Sequence, residues 1–156
     1  MTITITDEHT NSLSLKMDIG VHKDLDIEQD EYSFDIGIQE DAVSLLINSP
    51  AQMITEKLKS LLRFLSRSTR YRDVFDICYL SERADKEKLL YCMEKYIFED
   101  KTLSVNNMTD VTMRLEQVFG SKSFVQSVSR SRRNWLDIPA EEALASNLEF
   151  FRSLSE

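Results

Sequence analysis

The hydrophobic rhythm of this chain changes once, at Asn48-Ser49-Pro50, and that change decides what each part can fold into. Before it, apolar residues recur at every second position, the spacing of a strand with one buried face. After it they recur every third or fourth position, the spacing of an amphipathic helix. Thr2-Ile3-Thr4-Ile5-Thr6 contains only β-branched residues and predicts a first strand. Leu13, Leu15, Met17, Ile19 and Val21 alternate with Ser14, Lys16, Asp18 and Gly20 and predict a second, with a polar face. Tyr32, Phe34, Ile36 and Ile38 predict a third strand, and Val43-Ser44-Leu45-Leu46-Ile47 a short fourth. The acidic residues 24–31 read as a solvated loop. Residues 1–48 are therefore expected to form an antiparallel β-meander.

Serine before proline is a helix-start signal, because the hydroxyl caps free N–H groups and proline suits the first turn. Ile54, Leu58, Leu61, Leu62 and Leu65 then form an apolar stripe. Further helices are expected over residues 71–80, 85–99, 109–119, 123–135 and 139–154, with Gly120 as a C-cap. Residues 101–108 are expected to be the most flexible loop. The fold class is thus α+β: a β portion over 1–48, then a helical domain over 49–156.

Composition excludes several function classes. Gly20, Gly37 and Gly120 stand alone, so there is no Walker loop and no GxGxxG turn. Two histidines, His9 and His22, leave no Cys/His zinc cluster. No apolar run approaches the roughly 20 residues of a membrane helix. Met1 leads directly into a strand rather than a signal peptide, and Cys78 and Cys92 form no CxxC pair; a cytoplasmic setting with reduced thiols is expected. The net charge of −8 is uneven: residues 1–56 hold 12 acids and 2 bases, residues 57–156 hold 15 acids and 17 bases. A generic nucleic-acid binder is disfavoured, but a local phosphate site in the second part is not.

Three places hold residues suited to chemistry. From Lys57 to Arg72 there are six basic residues and no acid. On a helix, Lys59, Arg63, Arg67 and Arg70 lie opposite the leucine stripe, whereas Lys57 lies at its border. Lys57 reads either as a snorkelling side chain or as a cation aimed at a phosphate. Arg72, Asp73 and Asp76 fall on one narrow polar strip of the next helix. Arg72 and Asp76 suit a simple pair four residues apart, worth about 0.2–0.5 kcal/mol, and Asp73 suits a first helical turn; the same strip also suits a binding site. Asp18 lies mid-strand, either solvated or placed to help hold a divalent ion.

Together these residues resemble the AbiEii/AbiGii-type nucleotidyltransferase toxins of bacterial phage defence and toxin–antitoxin systems. Glu56-Lys57-Leu58, Leu61-Leu62-Arg63 and Arg72-Asp73-Val74-Phe75-Asp76-Ile77 are similar to that family's EKL…AL…R…RD-x-x-D helix pair. Leu15-Lys16-Met17-Asp18-Ile19 resembles its third-carboxylate strand, and the segment from Trp135 to Leu154 its closing helices. Family members begin with a Gly-Ser turn followed by an Asp-x-Asp strand pair. Here the only such triplet, Asp24-Leu25-Asp26, follows the Asp18 strand, and Gly120-Ser121 comes far later. The resemblance therefore implies the C-terminal portion of such an enzyme, truncated or split.

It also implies roles. Asp18 would support metal or activate the acceptor hydroxyl; Lys57 would contact NTP phosphates, with Arg63 and Arg72 as further substrate-binding residues; Asp73 and Asp76 would orient the reacting groups. Mg²⁺ is the cofactor implied, held weakly or not at all without the first two carboxylates. The expected partners are an NTP, an antitoxin or a complementary N-terminal polypeptide, and an RNA or protein acceptor. As an isolated chain it is expected to be inactive and to associate through the edge of its first strand. The alternative is a non-catalytic helical module that binds an antitoxin or RNA, carried by Lys59, Arg63, Arg67 and Arg70 and by Arg130, Arg132 and Arg133.

Overall fold

The computed structural model describes residues 2–16, 29–34 and 43–155. Four strands precede six α-helices among them. Strands β1 (Thr2–Thr6) and β2 (Ser12–Lys16) form one antiparallel hairpin, with Ile5 opposite Leu13. Strands β3 (Asp30–Phe34) and β4 (Val43–Ile47) form a second, with Tyr32 opposite Leu45. The expected continuations of the second strand through Asp18 to Val21, and of the third through Ile38, lie outside the described residues. In the first hairpin Asp7 makes the turn, accepting hydrogen bonds from the backbone N–H groups of His9 and Asn11.

Helix α1 (Pro50–Phe64) starts where the rhythm changes. Ser49 accepts a hydrogen bond from the Gln52 backbone N–H, and the Gln52 side chain accepts from the Ser49 N–H, so two otherwise unpaired donors are satisfied reciprocally. The stripe residues Ile54, Leu58, Leu61 and Leu62 are buried. Each such side chain contributes about 1.5–3 kcal/mol of transfer free energy. The helix does not carry on to Arg70: Leu65 has φ 50° and opens a 3₁₀ turn (Leu65–Arg67), so Arg67 and Arg70 leave the α1 face.

Helices α2 (Arg72–Ser81) and α3 (Lys86–Met93) both pack against α1, and α3 runs into a π-turn (Glu94–Phe98) that completes the expected third helix. Lys88 of α3 pairs with Asp30 of β3 at 3.0 Å, which ties the second hairpin to the helices. Helix α4 (Met108–Phe119) packs on α6 (Ala140–Ser153), which also covers α2. Phe75, Leu89, Met93, Leu115, Phe124 and Phe151 fill the space between them.

Two expectations are corrected, and a third, the Gly120 cap, holds in another conformation. Residues 101–108 are not a loose loop: Leu103 and Val105 are buried, and Arg114 donates to the Ser104 carbonyl at 3.0 Å. Gly120 does cap α4, but at φ −76° rather than in the left-handed region. Its lack of a side chain matters through close approach, because a Cβ there would lie 2.9 Å from the Glu116 carbonyl oxygen. Helix α5 (Lys122–Ser129) stops six residues earlier than its periodicity implies. The chain then turns out as a loop, and that loop delivers Trp135 to the surface of α2.

Candidate functional site

The α1–α2 packing brings together residues 16 and 19 positions apart. Lys57 lies at the edge of the buried α1 stripe, so its alkyl stem runs along apolar surface and its ammonium reaches α2. There Nζ donates to Asp76 Oδ2 at 2.7 Å and lies 3.4 Å from Asp73 Oδ1. Both aspartates are buried, and the Lys57 side chain keeps 24% of its surface exposed. Arg72, one turn ahead of Asp76 on α2, places Nε 3.4 Å from Asp76 Oδ1. Of the residues singled out in the sequence, Lys57, Arg72, Asp73 and Asp76 therefore form one cluster.

Two do not join it. Arg63 lies on another face of α1, where it and Lys59 pair with Asp100 at 3.2 and 2.8 Å. Asp100 also accepts from the Thr102 backbone N–H and hydroxyl, and these donors hold its carboxyl well below the usual carboxylate range. Asp18 lies outside the described residues.

The two aspartates differ electrostatically. Both oxygens of Asp76 are engaged, with Lys57 on one and both Arg72 and the Trp135 indole N–H, at 2.7 Å, on the other. Asp73 has one oxygen near Lys57, while its Oδ2 is buried without a hydrogen-bond partner among the described residues. Burial pushes the Asp73 carboxyl above 3.8, and the nearby Lys57 and Arg70 only partly counter it. A buried oxygen acceptor without a donor costs about 1–3 kcal/mol.

Trp135 is the residue that sequence reasoning missed. Its contact with Asp76 spans 59 residues and depends on where a loop ends, so no periodicity encodes it. The one available signal was a lone tryptophan just beyond an arginine run.

The described residues hold no group of three or more His, Cys, Asp or Glu side chains able to bind a metal. Asp73 and Asp76 are already faced by Lys57 and Arg72, so this cluster does not fit Mg²⁺ by itself. A groove of about 340 Å³ lies elsewhere, between α4, α5 and α6, and none of these charged residues lines it. Phe119, Leu144 and Leu148 line it together with Glu116 and Glu141, an apolar and acidic surface unsuited to polyphosphate. No helix of the described chain is long and apolar enough to cross a membrane.

A model of the family described as "Nucleotidyl transferase AbiEii toxin, Type IV TA system" matches residues 2–147. No curated protein and no solved structure matches the chain.

Proposed function

The chain belongs to the AbiEii nucleotidyl transferase toxin family, and from that premise we propose that its α1–α2 cluster is the phosphate-binding part of a nucleotidyltransferase site. The observation that carries the reading is one ammonium held by two buried carboxylates of the neighbouring helix, at 2.7 and 3.4 Å. Lys57 is pre-oriented, with two of its protons on the aspartates and the third left to meet an anion. Arg72 is anchored by Nε on Asp76, and 61% of its side chain faces solvent. Arg63 is left out of the reading because it lies on another face of α1, beside Lys59 and Asp100.

In the reaction, an acceptor hydroxyl oxygen bonds to the α-phosphorus of an NTP and pyrophosphate departs. The hydroxyl proton passes to a carboxylate, the role given to Asp18. Lys57 and Arg72 balance the charge gathering on the departing phosphates, and Asp73 with Asp76 fixes where the ammonium sits. Mg²⁺ would need carboxylates beyond the cluster, so no step is routed through it. In this reading the first two carboxylates come from outside these 156 residues, and the chain alone transfers nothing or almost nothing. Residues 1–48 would bring the third-carboxylate strand and residues 49–156 the phosphate contacts. The acceptor is RNA or protein, an antitoxin is the regulatory partner, and the setting is cytoplasmic, as the free thiols of Cys78 and Cys92 favour.

Calorimetric titration with an NTP tests it. Lys57→Ala should weaken binding at least tenfold, as expected for a partly buried charge-assisted contact. Labelling of an acceptor by radioactive NTP should appear only when a polypeptide carrying Gly-Ser…Asp-x-Asp is added. Equal NTP affinity of Lys57→Ala and the unmodified chain would overturn the assignment.

One observation favours the non-catalytic binding module as a second reading. Arg130, Arg132 and Arg133 are exposed and form no ion pair among the described residues. If that reading holds, reversing those charges abolishes antitoxin or RNA capture while Lys57→Ala leaves it intact.

A further inference from the structure

Trp135 is the only tryptophan of the chain and lies on the loop between α5 and α6. Its one polar atom is used, because the indole N–H donates to Asp76 Oδ1 at 2.7 Å. The other oxygen of that carboxylate holds Lys57, also at 2.7 Å. One carboxylate thus joins an aromatic ring to an ammonium, and the hydrogen-bond lengths put the two nitrogens no more than about 8 Å apart. That is close to the span from a nucleobase across its sugar to its first phosphates.

The ring is tethered, yet 47% of the residue is exposed. Since the N–H is satisfied, the rest of the indole that faces solvent is apolar aromatic surface. Tyr79 of α2 braces the ring from one side in a T-shaped contact, with centroids 5.0 Å apart. Tyr79 in turn carries the Arg83 guanidinium 3.8 Å over its own ring. The loop is held as well: the Asn134 amide donates to the Ile138 carbonyl at 2.7 Å, and Asp137 takes a left-handed φ of 55°. Leu136 and Ile138 pack against the core on either side of that turn. A ring fixed in this way loses little freedom when something stacks on it.

We infer that Trp135 is a stacking platform for the base of the nucleotide whose phosphates meet Lys57. The inference rests on the phosphate-binding reading of Lys57 and adds to it a second point of attachment, for a planar heteroaromatic ring. Stacking accepts any base, since every base has a π face, so the platform supplies affinity and orientation more than choice among bases.

The lone tryptophan is its own reporter. Its emission, excited at the red edge of its absorption, is followed while the chain is titrated with each ribonucleoside triphosphate and with inorganic tripolyphosphate. Calorimetry on the same samples measures binding independently of the ring. The nucleotides should quench saturably, and tripolyphosphate should bind through Lys57 without comparable quenching. Trp135→Ala should weaken nucleotide binding roughly 10- to 100-fold, well beyond any change in tripolyphosphate affinity, which Trp135→Phe should share because it too loses the N–H. Trp135→Phe should keep most of the nucleotide affinity, because it retains an aromatic face while losing the N–H.

Equal losses in the Phe and Ala variants would show that Trp135 only clamps Asp76, which overturns the platform. Lys57-dependent nucleotide binding without quenching, or quenching as strong with tripolyphosphate, would overturn it and leave the phosphate reading standing. If calorimetry shows neither ligand binding the unmodified chain, both fall together. Should Trp135→Ala not fold, the quenching comparison and the Phe variant still decide.

Discussion

Asp73 keeps its proton more readily in the folded chain than in the unfolded one, because burial outweighs the attraction of Lys57. The native state then binds more protons than the unfolded state between 3.8 and the raised folded value. This group's contribution to stability is therefore greatest below 3.8, falls as pH rises through that window, and stays flat above it. Asp73→Asn should raise the melting temperature at neutral pH, with the gain vanishing as pH falls below 3.8; a gain that persists in acid would refute this. Lys57→Ala should do the opposite. Stripping a buried carboxylate of its cation costs about 3–5 kcal/mol, and roughly 2 kcal/mol is expected here because the lysine is partly hydrated. Chemical denaturation at neutral pH checks it. Lys57, Asp73 and Asp76 were legible in the sequence because each sits at a helical spacing that fixes its face, and adjacent helices brought those faces together. Trp135 was not legible, since its position depends on where α5 ends rather than on any local pattern.

Helix starts were easier to read than helix ends. Ser49-Pro50 announces α1 through side-chain chemistry that is local in sequence, and the capping box forms as those residues allow. Ser49→Ala should destabilise the chain by about 1 kcal/mol, measured by denaturant midpoint, with Ser49→Asp largely restoring it. Ends depend on what the next segment meets. Helix α1 stops at Leu65, whose positive φ suits glycine better than leucine and costs about 1–3 kcal/mol, so packing rather than propensity places that break. Residues 101–108 look polar and loose in sequence, but Leu103 and Val105 are drawn inside by the surrounding helices, which no local signal announces. Gly120 sits where a C-cap was expected, yet for reasons of space rather than backbone handedness.

The helices hold a continuous core, whereas the first hairpin shows large apolar side chains to solvent among the described residues. Ile5 and Leu13 face each other across the first hairpin and are 59% and 61% exposed. A lone two-stranded hairpin is marginally stable in water. Amide hydrogen exchange should therefore be fast across β1 and β2 and slow along the buried turns of α1, α2 and α6. An exposed apolar strand pair also invites pairing with another chain. Sedimentation should show association that grows with concentration and that Ile5→Lys suppresses; an unchanged profile in that variant would place the contact elsewhere. The α+β division was legible because the period changes at one point, but the exposure of Ile5 and Leu13 was not, since alternation records a face without saying what meets it.

An ammonium has only three protons to offer, and two of those on Lys57 point at Asp76 and Asp73. A single phosphoryl oxygen can take the third and leave the two helices stapled. A second oxygen must displace an aspartate and loosen the join between α1 and α2. The grip on a polyphosphate is thus rationed by valence, and an incoming anion that asks for more must prise apart the scaffold that presents it.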